Sequence, residues 1–582
     1  MSEPFTLPDT AKVKDGKAAR WWRELEVLLL VLLVLAIYFS RLGALTIRGE
    51  ESRRARVACE ILETGDWVVP RQQGEIYLSR PPLGSWPIAL VGLVRGKVDV
   101  VAIRLPTVTA ILLTTLLIYG YARTFLSSTG AFAAAVAFAT MAQVLQIGRL
   151  AETEATFTLL VASSLLLWHW GYVRSWRPLT GWACGYALAA LAGLTKGPQG
   201  PIYFALPVIT YLLARRDWRY LLSWAHLGGL VSFAAVLGAW QVPFYLATDG
   251  QAVRTIWTGN AAERFTDYSL AAIAKHLAGY PLEIFACTLP WSVLLVRYCD
   301  RGFRQSVGAA RPSVTFLLTC VAVTFPTVWF ATGAKGRYFM PLYPCLALLA
   351  GLVAERCLAP SDDAATQQMR KGWGQFLAVL AVIAVATGVA IAGAACFGHS
   401  RLRGVNQPIA FAIVYLLGTL ITAGGMVYWR LRPQVWSGKL GILSLAAFLG
   451  LLYTGVVVNA EQRVSENTAA AVAKLHSQLP NRASLCSLGR IDHLFAFHFR
   501  DPIAVQPWPQ SADAIRPEMQ YFCFNEDPAQ PKKLPFQWEK LAVISLERNH
   551  MARPRRTVVV GRCLPNPSDA LSKGKSSTTK RR

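Results

Sequence analysis

The sequence predicts an all-α polytopic membrane protein with a small extramembrane domain, α/β or α+β, at its C-terminal end. Three observations carry this. Hydrophobic residues fill 53% of the 582 positions and charged residues only 16%, against roughly 25% charged in a soluble domain. Apolar stretches of about 20 residues, the length that crosses a bilayer core, recur along most of the chain. After Val458 the pattern changes to polar sequence with short alternating segments, "PIAVQPW", "KLAVISLE" and "RTVVVGRCL", which read as strands.

Residues 1–24 form a polar tail on the cytoplasmic side. The first apolar run, Leu25 to Leu45, has charged flanks and is too long for a cleavable signal core, so it reads as a retained span. Further spans are expected at 102–122, 131–148, 155–172, 179–195, 199–214, 220–247, 277–298, 312–332, 338–357, 374–397, 405–429 and 437–459. The membrane domain is therefore 25–459, with about thirteen helices. The stretch 81–94, "PPLGSWPIALVGLV", is apolar but short and belongs on the membrane surface. Charge tests that choice. With the N-terminus inside, the basic connectors "KVKDGKAARWWRE", "YVRSWRP", "ARRDWRY", "RYCDRGFRQSVGAARP", "RKGW" and "WRLRP" all fall on the cytoplasmic side, as the positive-inside rule requires. Counting 81–94 as a span would move every later one outside. The net charge of +25 is spread over these connectors and points to topology, not to nucleic acid. Residues 460–568 then form an outer domain, followed by a disordered basic tail at 569–582.

The first outer loop, 46–101, begins with "IRGEESRRARVACEILETGDW", four arginines and five acids in 21 positions. Val57, Ile61 and Leu62 share one helical face with Ala58 beside them, which predicts an amphipathic helix lying on the surface. The same topology puts Glu50, Glu51, Arg53, Arg54, Arg80, Arg149, Glu154, Lys196, Arg264, Lys335 and Arg337 on the outer side. Ionisable groups at membrane depth are costly and usually functional.

Paired carboxylates at a membrane surface suit a general base with a supporting acid, or a divalent metal. Cations from several loops at headgroup level suit a lipid phosphate. Together they fit a reaction in which a lipid phosphate leaves while a carboxylate deprotonates an acceptor hydroxyl. Simpler roles exist for the same residues. Acids in a first helical turn offset the helix dipole, lone loop arginines meet lipid headgroups, and Arg104 reads as a span-start anchor. The eleven cysteines show no metal spacing, although one disulfide among Cys486, Cys523 and Cys563 is open to an outer domain. The histidines show no metal spacing, those of "DHLFAFHF" read as strand or helix packing, and no nucleotide-binding loop is present.

"GEESRRARVACEILETGDWVVPRQQGEIYLSRPPLGSW", followed in order by "RLPTVTA", "GRLAETEATF", "LTKGPQGP", "RF", "LPWSVLL" and "KGRYFMPLYPCLALL", resembles the GT-C membrane glycosyltransferases. The likeness runs over roughly residues 46–350. It is nearest to the bacterial aminoarabinose transferases that modify lipid A, and behind them to the protein O-mannosyltransferases. It implies inverting transfer of a sugar from a polyprenyl (undecaprenyl) phosphate donor, at the outer face of a bacterial inner membrane, to an acceptor hydroxyl or phosphate on a lipid, glycan or protein. Glu50 matches the catalytic aspartate of the first outer loop, with Glu51 beside it, and Glu154 the aspartate of the second. Arg80 stands where a lysine contacts the donor phosphate; Arg53, Lys196, Arg264 and Lys335 join it, and Arg337 and Tyr338 match the late-loop site.

The departures are specific. Both aspartates are glutamates, Arg80 replaces lysine and Arg54 a tyrosine, and Ser79 and Ala261 stand where the aminoarabinose enzymes have metal-associated residues. No zinc site is therefore carried over, a divalent metal stays open, and the sugar stays unnamed. Two other functions remain open on the sequence: a carrier of lipid-linked sugars, which usually shows internal repeats, and a polyprenyl-phosphate-binding protein without turnover.

Overall fold

A computed structural model of the chain describes residues 17–47, 49–262, 269–359, 364–398, 407–432, 434–464, 467–480, 484–511, 520–526, 533–546 and 556–564. Each expected apolar stretch is helical, in a multi-pass membrane protein. Among the described residues eight helices are long and apolar enough to span a bilayer, or nine if the bent pair Leu270–Cys287 and Ser292–Cys299 is one span. The others are shorter, more charged or less apolar, including Lys17–Val34, Pro178–Lys196 and Gln199–Ala214.

Two expected spans are interrupted, 277–298 by the bend of that pair and 131–148 by a break. The stretch 131–148 is two helices, Ser128–Thr140 and Ala142–Ile147, separated by extended Met141. The break frees the Ala142 N–H to donate to the Leu289 carbonyl at 3.1 Å, while Trp291 Nε1 donates to Thr140 Oγ1 at 2.9 Å. Leu289 and Trp291 lie in the 115° bend of the pair 270–299, so the two breaks brace one another.

The loop between the first two long helices holds the surface helix Glu50–Thr64. Gly49 precedes it at φ +55° and Gly65 ends it at φ +72°, backbone conformations that favour glycine. Ala55, Val57, Ala58 and Ile61 face a small core with Ile88, Ala89 and Ile103. Asp66 Oδ1 then accepts from the amides of Val68 and Val69, turning the chain. Trp86 and Trp240 pin that turn by donating to the carbonyls of Trp67 and Val68. A two-strand ribbon follows, β1 (Arg71–Gln72) and β2 (Glu75–Ile76), and then the short helix Trp86–Arg95. At ten residues that helix is too short to cross a bilayer.

The C-terminal part is a mixed sheet of β3 (Leu485–Leu488), β4 (Ala504–Gln506), β5 (Tyr521–Glu526), β6 (Trp538–Ser545) and β7 (Thr557–Cys563). Their order is β4-β3-β5-β7-β6, parallel around β3 and antiparallel around β7. Helices Thr468–Gln478 and His493–Phe499 cover one face, where Val472, Leu475, Phe495 and Phe499 meet Cys523, Val558 and Val560. Cys486, Phe522, Val559 and Cys563 pack on the other. Of the three cysteines open to a disulfide, Cys523 lies on the face opposite Cys486 and Cys563, and all three are thiols.

This sheet unit sits on the surface helix. Leu494 joins the core of Ala55, Val57 and Ile61. Gln73 exchanges two hydrogen bonds with the backbone of Ile491, donating at 2.7 Å and accepting at 3.1 Å.

Candidate active site

The two adjacent acids of the surface helix separate. Glu51 is fully buried and meets Arg104 in a two-pronged pair at 2.9 and 3.0 Å, while its Oε1 also accepts from the Ala151 amide at 2.8 Å. Arg104 spends its remaining protons on the carbonyls of Leu42, Leu45 and Thr46. It therefore anchors the loop's start, and it fixes Glu51 as well. Glu50, one residue earlier, is half-buried and pairs with Arg53 at 3.1 Å. Of the pair, Glu50 is the carboxylate in contact with solvent.

A polar chamber of about 510 Å³ opens beside Gly49. Its wall includes Glu152, Glu283, Lys335 and Arg337, and on the sheet side Leu494 and Arg556. Around it stands a charged cluster. Lys196 Nζ donates to Glu154 Oε1 at 3.0 Å and lies 4.7 Å above the Tyr338 ring. Arg337 reaches Glu152 and Glu154, each at 3.6 Å, and Arg54 reaches Glu152 at 3.6 Å. Arg80 acts electrostatically on Glu154 too. Its turn packs tightly there, since a Cβ at Gly84 would lie 3.0 Å from Thr153 Cγ2.

The balance of this cluster is informative. Arg54, Arg80, Lys196 and Arg337 set four cations against the two carboxylates Glu152 and Glu154. Among the described residues, Arg80 Nε and Nη1, Arg337 Nε and Glu154 Oε2 are buried without a hydrogen-bond partner. Buried groups left so are expensive, and a bound phosphate would engage the cationic ones. Burial raises the Glu152 carboxyl above the usual range, with Arg54 and Arg337 opposing and Glu154 reinforcing.

The structure thus brings together Glu154, Arg80, Lys196, Arg337 and Tyr338, with Glu50, Arg53 and Lys335 at the margin. Arg264 lies outside the described residues. Arg149 lies elsewhere, over the Tyr453 ring and donating to the carbonyls of Ile37 and Ser40. Three contributors escaped the sequence reading. Glu152 sits two residues before Glu154; Glu283, which accepts from the Gly336 amide at 2.7 Å, is an acid inside an apolar span, itself a usable signal. His493, read as packing, instead holds Ser52 Oγ at 2.8 Å. Among the described residues no group of three or more His, Cys, Asp and Glu forms a metal-binding cluster.

A third feature adjoins the chamber. An apolar groove of about 980 Å³ runs between the helices, lined by Leu145, Pro290, Phe376, Leu380, Leu449 and Leu452. It shares Gln143, Gln146 and Glu283 with the polar chamber, so the two meet. The braced breaks at Met141 and Leu289 form part of its edge.

A sequence profile of the dolichyl-phosphate-mannose-protein mannosyltransferase family matches residues 79–240, from the Arg80 turn past Lys196. An undecaprenyl phosphate-alpha-4-amino-4-deoxy-L-arabinose arabinosyl transferase of Pseudomonas paraeruginosa is 27% identical over 67% of this chain and 69% of its own. The enzyme of the same name from Edwardsiella ictaluri is 28% identical over 77% and 79%. The crystal structure of ArnT from Cupriavidus metallidurans bound to undecaprenyl phosphate matches with a TM-score of 0.65 at 18% identity, covering 93% of this chain and 98% of that one. The fold is that of the GT-C membrane glycosyltransferases. Within that class the chain resembles the undecaprenyl-phosphate-dependent aminoarabinose transferases over two thirds or more of its length.

Proposed function

We propose that the protein transfers a sugar from an undecaprenyl phosphate donor to an acceptor hydroxyl or phosphate, with inversion, at the outer face of a bacterial inner membrane. The observation that carries this is the junction of the apolar groove with a chamber holding more cations than carboxylates. A polyprenyl tail fits the first and its phosphate the second. The relatives' names supply the donor class. The basic connectors put the N-terminus in the cytoplasm and the sheet domain outside.

Arg80, Lys196 and Arg337, with Arg54 behind them, offset the charge that builds on the departing phosphate. Glu154 keeps Lys196 and Arg337 in place. Glu50 takes the acceptor proton as the acceptor oxygen bonds to the sugar's anomeric carbon and the bond from that carbon to the phosphate breaks. Glu51, bonded to Arg104, fixes the turn from which Glu50 projects.

The test is transfer by purified full-length protein in nanodiscs, given labelled undecaprenyl-phosphate sugars and an envelope extract. Labelled product that disappears with Glu50→Ala, in a variant of unchanged melting temperature, supports the assignment. Full activity in that variant would sink it. Sugar moved across a vesicle membrane without product would instead indicate a carrier, and donor binding with neither result a non-catalytic binder.

A further inference from the structure

The apolar groove and the polar chamber meet at a throat, and three residues line both cavities: Gln143, Gln146 and Glu283. The break at Met141 starts the short helix Ala142–Ile147 in a new direction, and its two glutamines, three positions apart, share a face. Gln143 Nε2 donates to Gln146 Oε1 at 2.9 Å, and the Cys287 thiol donates to Gln143 Oε1 at 3.2 Å. The glutamines carry no charge. Glu283 is the acid of the throat.

Its place is fixed by one bond. Glu283 Oε1 accepts from the Gly336 amide at 2.7 Å, and a Cβ on Gly336 would stand 2.9 Å from that oxygen and 2.8 Å from Cys287 Sγ. The glycine thus admits the carboxylate against the backbone that joins Lys335 to Arg337, both of which line the chamber. Glu283 differs from the chamber's other acids. Glu152 and Glu154 are held by Arg54, Lys196 and Arg337. Glu283 is exposed in the apolar stretch "YPLEIFAC", and among the described residues it makes no ion pair.

A carboxylate so placed repels any phosphate entering the chamber, and repels it more as the phosphate gains charge. A sugar joined to a lipid phosphate makes a diester with a single negative charge. Transfer breaks the bond from the anomeric carbon and leaves its electron pair on the phosphate oxygen. The spent lipid is then a monoester carrying about 1.5 to 2 negative charges near pH 7.

We propose that Glu283 is a charge-discriminating residue of the donor site. It disfavours the spent monophosphate, and equally any diphosphate-linked lipid, relative to the singly charged diester, and so promotes release of the product. The words donor and product rest on the glycosyltransferase reading; the discrimination among lipid phosphates does not.

Undecaprenyl methyl phosphate, undecaprenyl phosphate and undecaprenyl diphosphate would compete against labelled undecaprenyl phosphate on full-length protein in detergent, near pH 7. Glu283→Gln keeps an acceptor for the Gly336 amide and removes the charge. It should tighten the monophosphate and the diphosphate about tenfold more than the methyl diester, the factor for one further charge about 10 Å away at an effective dielectric constant near 20. Glu283→Asp keeps the charge and should keep the wild-type ratios. In transfer assays undecaprenyl phosphate should inhibit the Glu283→Gln protein at a concentration about tenfold lower than the wild type. An equal change for all three lipids in Glu283→Gln, or no change, overturns the proposal. Discrimination without labelled transfer would support it and overturn the transferase reading; transfer without discrimination would do the reverse.

Discussion

Glu51 and Arg104, 53 residues apart in sequence, meet through two parallel hydrogen bonds at 2.9 and 3.0 Å with neither side chain exposed. Removing one partner strands the other as an uncompensated buried charge. Glu51→Ala is therefore expected to cost about 3–5 kcal/mol, read as a lower melting temperature in detergent. Glu51→Met combined with Arg104→Met should recover part of that loss. Glu50→Ala, next in sequence but half-exposed, should leave the melt within about 0.5 kcal/mol of wild type.

Glu50→Asp tests the reach of the proposed base. The shorter side chain withdraws the carboxylate by about one methylene, and a misplacement near 1 Å costs about 100-fold in rate. Transfer should fall by one to two orders of magnitude on that scale, with donor binding and melting unchanged. An unaltered rate would show that the carboxylate's position is not limiting.

The cations should divide into two kinds. Arg80 has two buried nitrogens without partners, so Arg80→Lys should raise the KM for donor about tenfold with little effect on folding. Lys196 is bonded to buried Glu154. Lys196→Met should therefore destabilise the protein by about 3 kcal/mol or more, and Glu154→Gln in the same chain should restore part of it.

Acid should loosen the sheet domain. Burial, assisted by Arg500, lowers the His498 imidazole to about 4. Burial with Arg53 and Arg556 also lowers that of His493, against the opposing pull of Asp492 and Glu50. An unfolded histidine takes up its proton near pH 6.5, so below that value the unfolded state binds more protons and stability falls with pH. Melting temperatures should drop between about pH 6.5 and pH 4, and His498→Gln should flatten the slope.

Much of this arrangement was legible because its signals are local. The amphipathic period of residues 50–64, the apolar runs and the basic connectors each reflect a short stretch of chain. Glu154, Lys196 and Arg337 could be grouped because topology alone sends their loops to one side. What stayed hidden depends on long-range pairing. Nothing near Glu51 announces Arg104, and nothing in "DHLFAFHF" announces Ser52. The break at Met141 was invisible because its partner, the carbonyl of Leu289, lies in a distant turn of the chain. Glu152 was passed over because both acids of "AETEA" looked alike, and only packing separates the residue before a helix from the one inside it.

The reciprocal bonds between Gln73 and Ile491 span 418 residues. A ribosome making about 5–20 residues per second needs roughly 20–80 s to cover that distance. Through that interval the first loop is complete while its partner is still unmade. The surface helix Glu50–Thr64 thus gains its last contacts only when the final part of the polypeptide arrives, which makes assembly of the candidate site a late event in biogenesis. A chain halted before the sheet domain should insert its helices and still lack an ordered site.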